Sequence, residues 1–223
     1  MKTKLTAILL SVLCLAALLT GCVRTELGVD LYDDGTGVIT TTVAIKEDAY
    51  STMTQSGTDP FEGRETQKVT YDGDAYISCA EVTDRLSYEE LENELKAIRL
   101  DASDEKSPLL FRDVSIDKNG GLFYNSFTFK AKTTAQVNSG EEQSHSVNDM
   151  YKFFIQVTMP GSISQTKDGV VEGNTVTFEI SDLTQENEFA VYSDSNNVGV
   201  VIGIVVVMAV ILGAVLFFTR KKG

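Results

Sequence analysis

Hydrophobic and polar positions divide the chain into three zones. Apolar runs occupy 5–19 and 198–218, and between them apolar residues largely alternate with polar ones. Alternation of period two marks strands with one buried face. Leu27, Val29 and Leu31 alternate from about Glu26, Asp33-Asp34-Gly35-Thr36-Gly37 supplies turn chemistry, and Val38 to Ile45 follows as a β-branched run, so the pair predicts a hairpin. Glu47 to Met53 fits a short helix, and 54–67 reads as a polar loop. Ala75 to Thr83 predicts a strand with Ile77 and Cys79 on one face. Ser87-Tyr88-Glu89-Glu90 is a capping box. The helix it opens, to about Arg99, stacks Tyr88, Leu91, Leu95 and Ile98 on one face and pairs Glu92 with Lys96 on the other.

Leu109 to Ile116 and Leu122 to Ala131 flank Asp117-Lys118-Asn119-Gly120-Gly121, a second hairpin, with Phe123, Phe127 and Phe129 on one face. Residues 133–149 are polar and irregular, with room for one helical turn. Tyr151 to Met159 is a strand that points Tyr151, Phe153, Ile155, Val157 and Met159 one way, and Pro160-Gly161 ends it. Turns at Asp168-Gly169 and Gly173-Asn174 precede Thr175 to Ile180, with Val176, Phe178 and Ile180 inward. Residues 182–197 are polar and read as a juxtamembrane linker, although Phe189-Ala190-Val191-Tyr192 would dock within it. The pattern predicts an α+β fold: a predominantly antiparallel sheet of about eight strands, one or two packed helices, and one C-terminal transmembrane helix.

The apolar ends carry the topology. Lys2 and Lys4 precede Leu5 to Leu19, too short a run to span a bilayer and proportioned as a secretion signal. Leu19, Thr20, Gly21 and Cys22 then resemble the lipobox of bacterial lipoproteins at all four positions. The resemblance implies that residues 1–21 are removed as a signal peptide. It also implies that a diacylglycerol is attached covalently to Cys22, which carries palmitate-type chains into the membrane. A plain signal peptide and an uncleaved N-terminal anchor are the competing readings.

Val198 to Phe218 is free of charge, and as a helix it would measure about 31 Å, the hydrocarbon thickness. The tail at 219–223 carries Arg220, Lys221 and Lys222, which the positive-inside rule leaves in the cytoplasm. Residues 22–181 are then an extracytoplasmic domain held on the bacterial cytoplasmic membrane at both ends. Only three residues separate Cys22 from Glu26. The start of the first strand and the end of the Thr175–Ile180 strand are therefore expected at one membrane-facing end, with any cavity opening there.

Charge narrows the partners. The chain carries −13, and without the five cations of its ends the segment between them carries −18, which argues against nucleic acid and against headgroup attraction. Cys14 leaves with the signal and Cys22 is acylated, so Cys79 has no disulfide partner within the mature chain.

The order of these elements carries a family resemblance. A lipobox, the hairpin LGVDLYDDGTGVITTTVAI, the segment YDGDAYISCAEVTDRLSYEELENEL and the closing MPGSISQTKDGVVEGNTVTFEI, followed by a span and a basic stop, resemble the LppM-type envelope lipoproteins. The resemblance implies an α+β domain associated with lipid or glycolipid binding, and it supplies no catalytic motif.

The residues themselves offer little chemistry. His145 is the sole imidazole, set in Ser144-His145-Ser146 with no Gly-x-Ser-x-Gly elbow, so an exposed loop outweighs a hydrolase triad. One histidine and one free thiol cannot complete a zinc site. Asp30, Asp33 and Asp34, and Asp72 with Asp74, match no calcium loop and read as turn chemistry. Cys79 reads as inert core. Gly199 and Gly203 fit a helix-packing motif that could support a homodimer. The phenylalanine faces fit either a plain core or the wall of an acyl cavity. The expected role is a non-catalytic lipid- or glycolipid-binding module with no further cofactor. The alternative is an extracytoplasmic interaction or assembly module with an envelope protein partner.

Overall fold

The computed structural model describes residues 22–99, 109–121, 124–134, 151–180, 185–196 and 202–208. Its first hairpin joins β1 (Val23–Leu31) to β2 (Thr36–Lys46) in unbroken register from Val23 opposite Ile45 to Leu31 opposite Gly37. β1 begins at Val23 rather than Glu26, because Val23 and Thr25 continue the buried alternation of Leu27, Val29 and Leu31. Gly35 closes the turn at φ 86, and Asp34 accepts from the Thr36 amide at 3.2 Å and its hydroxyl at 2.6 Å. Gly37 is needed for a different reason. A Cβ there would lie 2.4 Å from the Asp30 carbonyl oxygen and 2.8 Å from Leu91.

Helix α1 (Glu47–Gln55) follows, then β3 (Gln67–Tyr71) and β4 (Asp74–Val82), joined through Asp72 and Gly73 in the left-handed region. A short β5 (Leu86–Ser87) leads into α2 (Tyr88–Ala97), where the expected capping box is formed. Tyr88, Leu91 and Leu95 of α2 are buried, and Lys96 pairs with Glu92 at 3.4 Å. Next come β6 (Phe111–Gly120), β7 (Tyr124–Thr133), β8 (Tyr151–Thr158), β9 (Ser162–Lys167), β10 (Val170–Glu172), β11 (Thr175–Ile180) and β12 (Glu188–Asn196).

The strands form two sheets. Sheet 1 runs β10-β11-β8-β1-β2-β4-β3, with β5 beside β2, and sheet 2 runs β6-β7-β12-β9. Pairing is antiparallel throughout except between β1 and β8. The α+β class and the antiparallel character hold, and sheet 1 has eight strands; the second sheet of four is additional to the one sheet expected. The short strands β3, β5, β9 and β10 have no periodic apolar face and read as loop and turn. Two helices pack on the sheets, and 202–208 is a third helical segment.

The core lies between the sheets. Leu27, Val29, Leu31, Phe153, Ile155, Val157, Val176 and Phe178 of sheet 1 meet Val114, Ile116, Phe127, Phe129, Phe189 and Val191 of sheet 2, with Leu91 and Leu95 of α2 closing one side. Phe178 and Phe189 touch across the layers at 4.9 Å between ring centroids. Phe127 and Phe129 are therefore packing residues of this core; Phe123 lies outside the described residues. A second cluster of Val23, Val43, Ile45, Ala49, Met53, Phe61 and Cys79 fills the space beneath α1.

The linker expected at 182–197 is corrected by β12. Phe189, Val191 and Ser193 point inward from it, and it pairs with β7 on one side and β9 on the other. Its second half is polar because its inward side chains there, Ser193 and Ser195, hydrogen-bond instead of packing: Ser193 Oγ donates to the Pro160 carbonyl at 2.8 Å. Docking of Phe189 to Tyr192 is thus full incorporation into a sheet.

Of the run 198–218, only 202–208 is described; it is helical, and its large apolar side chains are exposed. Among the described residues no helix is long and apolar enough to cross a membrane. Gly203 faces open space, while Gly199, the lipobox residues Leu19, Thr20 and Gly21, the cations Arg220, Lys221 and Lys222, His145 and 135–149 lie outside the described residues.

The position of β12 makes a sharp prediction. A chain truncated after Ser181 loses a central strand of sheet 2 and uncovers Phe127 and Phe129. It should show no cooperative urea transition, whereas a chain ending at Asn196 should. Equal cooperativity in the two would contradict the observed topology.

Candidate functional site

Two poles of the domain hold its distinctive polar chemistry. The first is where the chain enters. The Cys22 carbonyl accepts from the Lys46 amide at 2.9 Å, and its half-buried side chain packs against the cluster under α1. Burial raises the Cys22 thiol pKa, the nearby Asp48 carboxylate raises it further, and Lys46 opposes both. Cys79 is likewise raised by burial, with Arg64 opposing, which suits an inert core thiol.

On the outer face of sheet 1, beside this pole, Arg24 is sandwiched between two rings. Its guanidinium carbon lies 4.2 Å from the Tyr71 centroid and 3.7 Å from that of Phe154. Nε donates to Glu26 at 2.6 Å, and the Tyr71 hydroxyl donates to the other oxygen of the same carboxylate at 3.2 Å. Asp72 lies 3.9 Å from Arg24 and 3.5 Å from Lys152. Phe154, which breaks the alternation of β8, is the floor of this cluster. Burial chiefly, then the charge of Glu26, pushes the Tyr71 phenol up from 10.0 to about 12. The charged heads pair with one another, so the cluster holds the sheet face together.

The second pole lies at the other end of β1. A cleft of about 480 Å³ opens there, not at the entry pole where a cavity was expected to open, between the β1–β2 turn and the end of β12, lined by Asp30, Tyr32, Asp33, Thr158, Asn174 and Ser195 among others. Asp33 ties the two sheets together. Its Oδ1 accepts from Asn125 at 3.1 Å, its Oδ2 from Ser195 at 3.4 Å, and Lys118 donates to its carbonyl oxygen. Asn174 donates to the Met159 carbonyl at 2.9 Å, which shapes the opposite wall. Arg85 stacks 4.5 Å over the Tyr32 ring and pairs with Asp34 at 2.7 Å. The cleft presents carboxylate, hydroxyl and amide groups, which suit a ligand rich in hydroxyl or cationic donors.

The other expected residues fall into place around these poles. Asp34 caps a turn, and its pKa is lowered chiefly by the Thr36 hydroxyl; Asp74 pairs with Lys46 at 2.6 Å. Asp33, Asp34, Asp72 and Asp74 are thus turn and ion-pair groups, whereas Asp30 stands in β1 and lines the cleft. Among the described residues no three metal-ligating side chains converge. No local pattern announces Arg24 between Tyr71 and Phe154, nor Lys118, Asn125 and Ser195 converging on Asp33, since each set is drawn from separate strands.

The LppM domain profile matches residues 23–194, from the first residue of β1 almost to the end of β12. The chain belongs to the LppM domain family. The match includes β12, in agreement with its place in sheet 2. A solution structure of the folded domain of Mycobacterium tuberculosis LppM is similar over 81% of this chain and 94% of that one, at 10% identity and a TM-score of 0.39. So loose a likeness transfers no residue from one LppM chain to the other. No curated relative matches the chain.

At the cleft pole, Tyr88 donates to the Tyr32 carbonyl at 2.7 Å, and burial first, then Asp33 and Asp34, pushes its phenol from 10.0 to about 12. Tyr71 and Tyr88 therefore remain protonated in the fold at pH values where the unfolded chain has lost those protons. Between about pH 10 and 12 the folded chain binds more protons, so stability must fall as pH rises. The urea midpoint should drop through that window, and the Tyr71→Phe, Tyr88→Phe double variant should flatten the drop. An unchanged slope would contradict the assignment.

Proposed function

We propose that this LppM domain is a non-catalytic module, held on the bacterial cytoplasmic membrane, that binds the polar headgroup of a lipid or glycolipid in the cleft at the end of β1. The observation that carries the reading is the place of Ser195. It lines the cleft beside Asp30, Asp33 and Asn174, and only two residues separate it from the apolar run beginning at Val198. A headgroup in the cleft could keep its acyl chains in the bilayer, so no internal tunnel is required. That removes the need for an acyl cavity among the phenylalanines, which the core already fills. Carboxylates and amides accept and donate to several hydroxyls at once, the chemistry of a sugar or polyol headgroup.

Anchorage in this reading is double. Cys22 carries the diacylglycerol, on a half-buried apolar shoulder that suits a thioether better than a thiolate. Val198 to Phe218 spans the membrane with Arg220, Lys221 and Lys222 in the cytoplasm. Two chains and a helix together make release negligible.

The alternative, an interaction module for an envelope protein, is favoured by one feature: β10 is an edge of sheet 1 with Val170 and Val171 exposed. Native mass spectrometry of the detergent-extracted full chain separates the two. Headgroup binding predicts co-purifying lipid that is lost, or reduced at least tenfold, in Asp30→Asn, because Asp30 lines the cleft and makes none of the contacts that fix Asp33. Lipid-free wild-type chain, or lipid retained fully by the variant, would contradict the cleft reading.

A further inference from the structure

The two ends of the domain lie at opposite poles. Cys22 precedes β1 without a spacer, and its carbonyl is fixed by the Lys46 amide. β12, like β1, ends at the far pole: Ser195 bonds Asp33 in the β1–β2 turn, and Ser193 bonds Pro160 just past β8. The end of β11 does lie where expected, at the entry pole, since Ile180 pairs with Phe153 and Phe153 with Thr25. The chain, however, crosses back through β12 and leaves at the cleft. The length of β1, from Val23 to Leu31, separates the poles by about 30 Å at the usual strand rise.

There is almost no slack at either end. On one side no residue intervenes between Cys22 and β1; on the other, Asn197 alone separates β12 from the apolar run at Val198. One residue reaches at most about 3.6 Å. A domain anchored by both ends in one membrane cannot stand on either pole, because the other anchor would then be held about 30 Å above the bilayer.

We infer that the domain lies along the membrane, with β1 tilted no more than on the order of 20° from the bilayer plane, so that the bilayer surface itself is its partner over the whole distance between the poles. The inference rests on the double anchorage proposed above. It holds against electrostatics: at −18 between the ends, the domain is repelled by an anionic surface, and the anchors alone impose the contact. It also brings the cleft to headgroup level, within reach of a lipid that never leaves its leaflet.

The test uses the full chain in nanodiscs carrying a quencher on a fraction of the headgroups. Fluorophores are placed singly at Asp48→Cys, exposed in the first turn of α1 beside Cys22, and at Asp194→Cys, exposed near the end of β12. Intact mass on the same sample reports the Cys22 adduct, and alkaline extraction reports integration of the apolar run. With both anchors present, the two labels should be quenched to within about twofold of each other. Inserting thirty Gly/Ser residues after Asn196 should then relieve quenching at Asp194→Cys and leave Asp48→Cys unchanged. Both anchors present with only one pole quenched would overturn the flat arrangement alone. Loss of the adduct or of integration would overturn the double anchorage, and this inference with it.

Discussion

Everything in the domain is arranged around β1. Its odd-numbered side chains, Val23, Thr25, Leu27, Val29 and Leu31, are all buried on one face, so neither end of the strand can fray without opening core. It is paired on both sides, antiparallel to β2 and parallel to β8. A parallel neighbour needs a crossover rather than a turn, and the chain supplies it by building sheet 2's first hairpin between β2 and β8. Burying five side chains of this kind contributes several kcal/mol. That is enough to make β1 a rigid ruler between the two poles.

Each pole then acquires polar chemistry of its own. At the entry pole the even-numbered face of β1 carries Arg24 and Glu26, which Tyr71 and Phe154 enclose. At the far pole the turn after β1 carries Asp33, which reaches Lys118, Asn125 and Ser195 on sheet 2. Single hydrogen bonds of this sort contribute about 1 kcal/mol each. Their value lies in register: they hold the end of β12, and hence the exit of the chain, against the cleft. In the proposed reading, membrane anchorage, headgroup access and orientation all depend on that one placement.

Much of the fold was legible because it is carried by local patterns. The first hairpin, the Ser87 capping box and the inward faces of β8 and β11 follow from alternation and from turn residues a few positions apart. β12 was hidden for a physical reason. Its apolar half, Phe189 to Val191, is too short to declare a strand, and its polar half buries serines that pay for their burial with hydrogen bonds to distant residues. β3, β9 and β10 are edge strands of their sheets, where little apolar surface is covered and no period is imposed. The cleft was illegible for a related reason: its walls come from β1, β8, β12 and the turns after β1, after β8 and before β11, and pattern along one segment carries no information about which loops meet in space.

The claim that entry and exit lie at opposite ends of one rigid strand can be measured without any membrane. Pulsed dipolar spectroscopy between spin labels at Asp48→Cys and Asp194→Cys should report a single narrow distribution centred at about 30 Å, the length of β1 at the usual strand rise. A distribution centred below about 15 Å would place both chain ends at one pole and contradict the account.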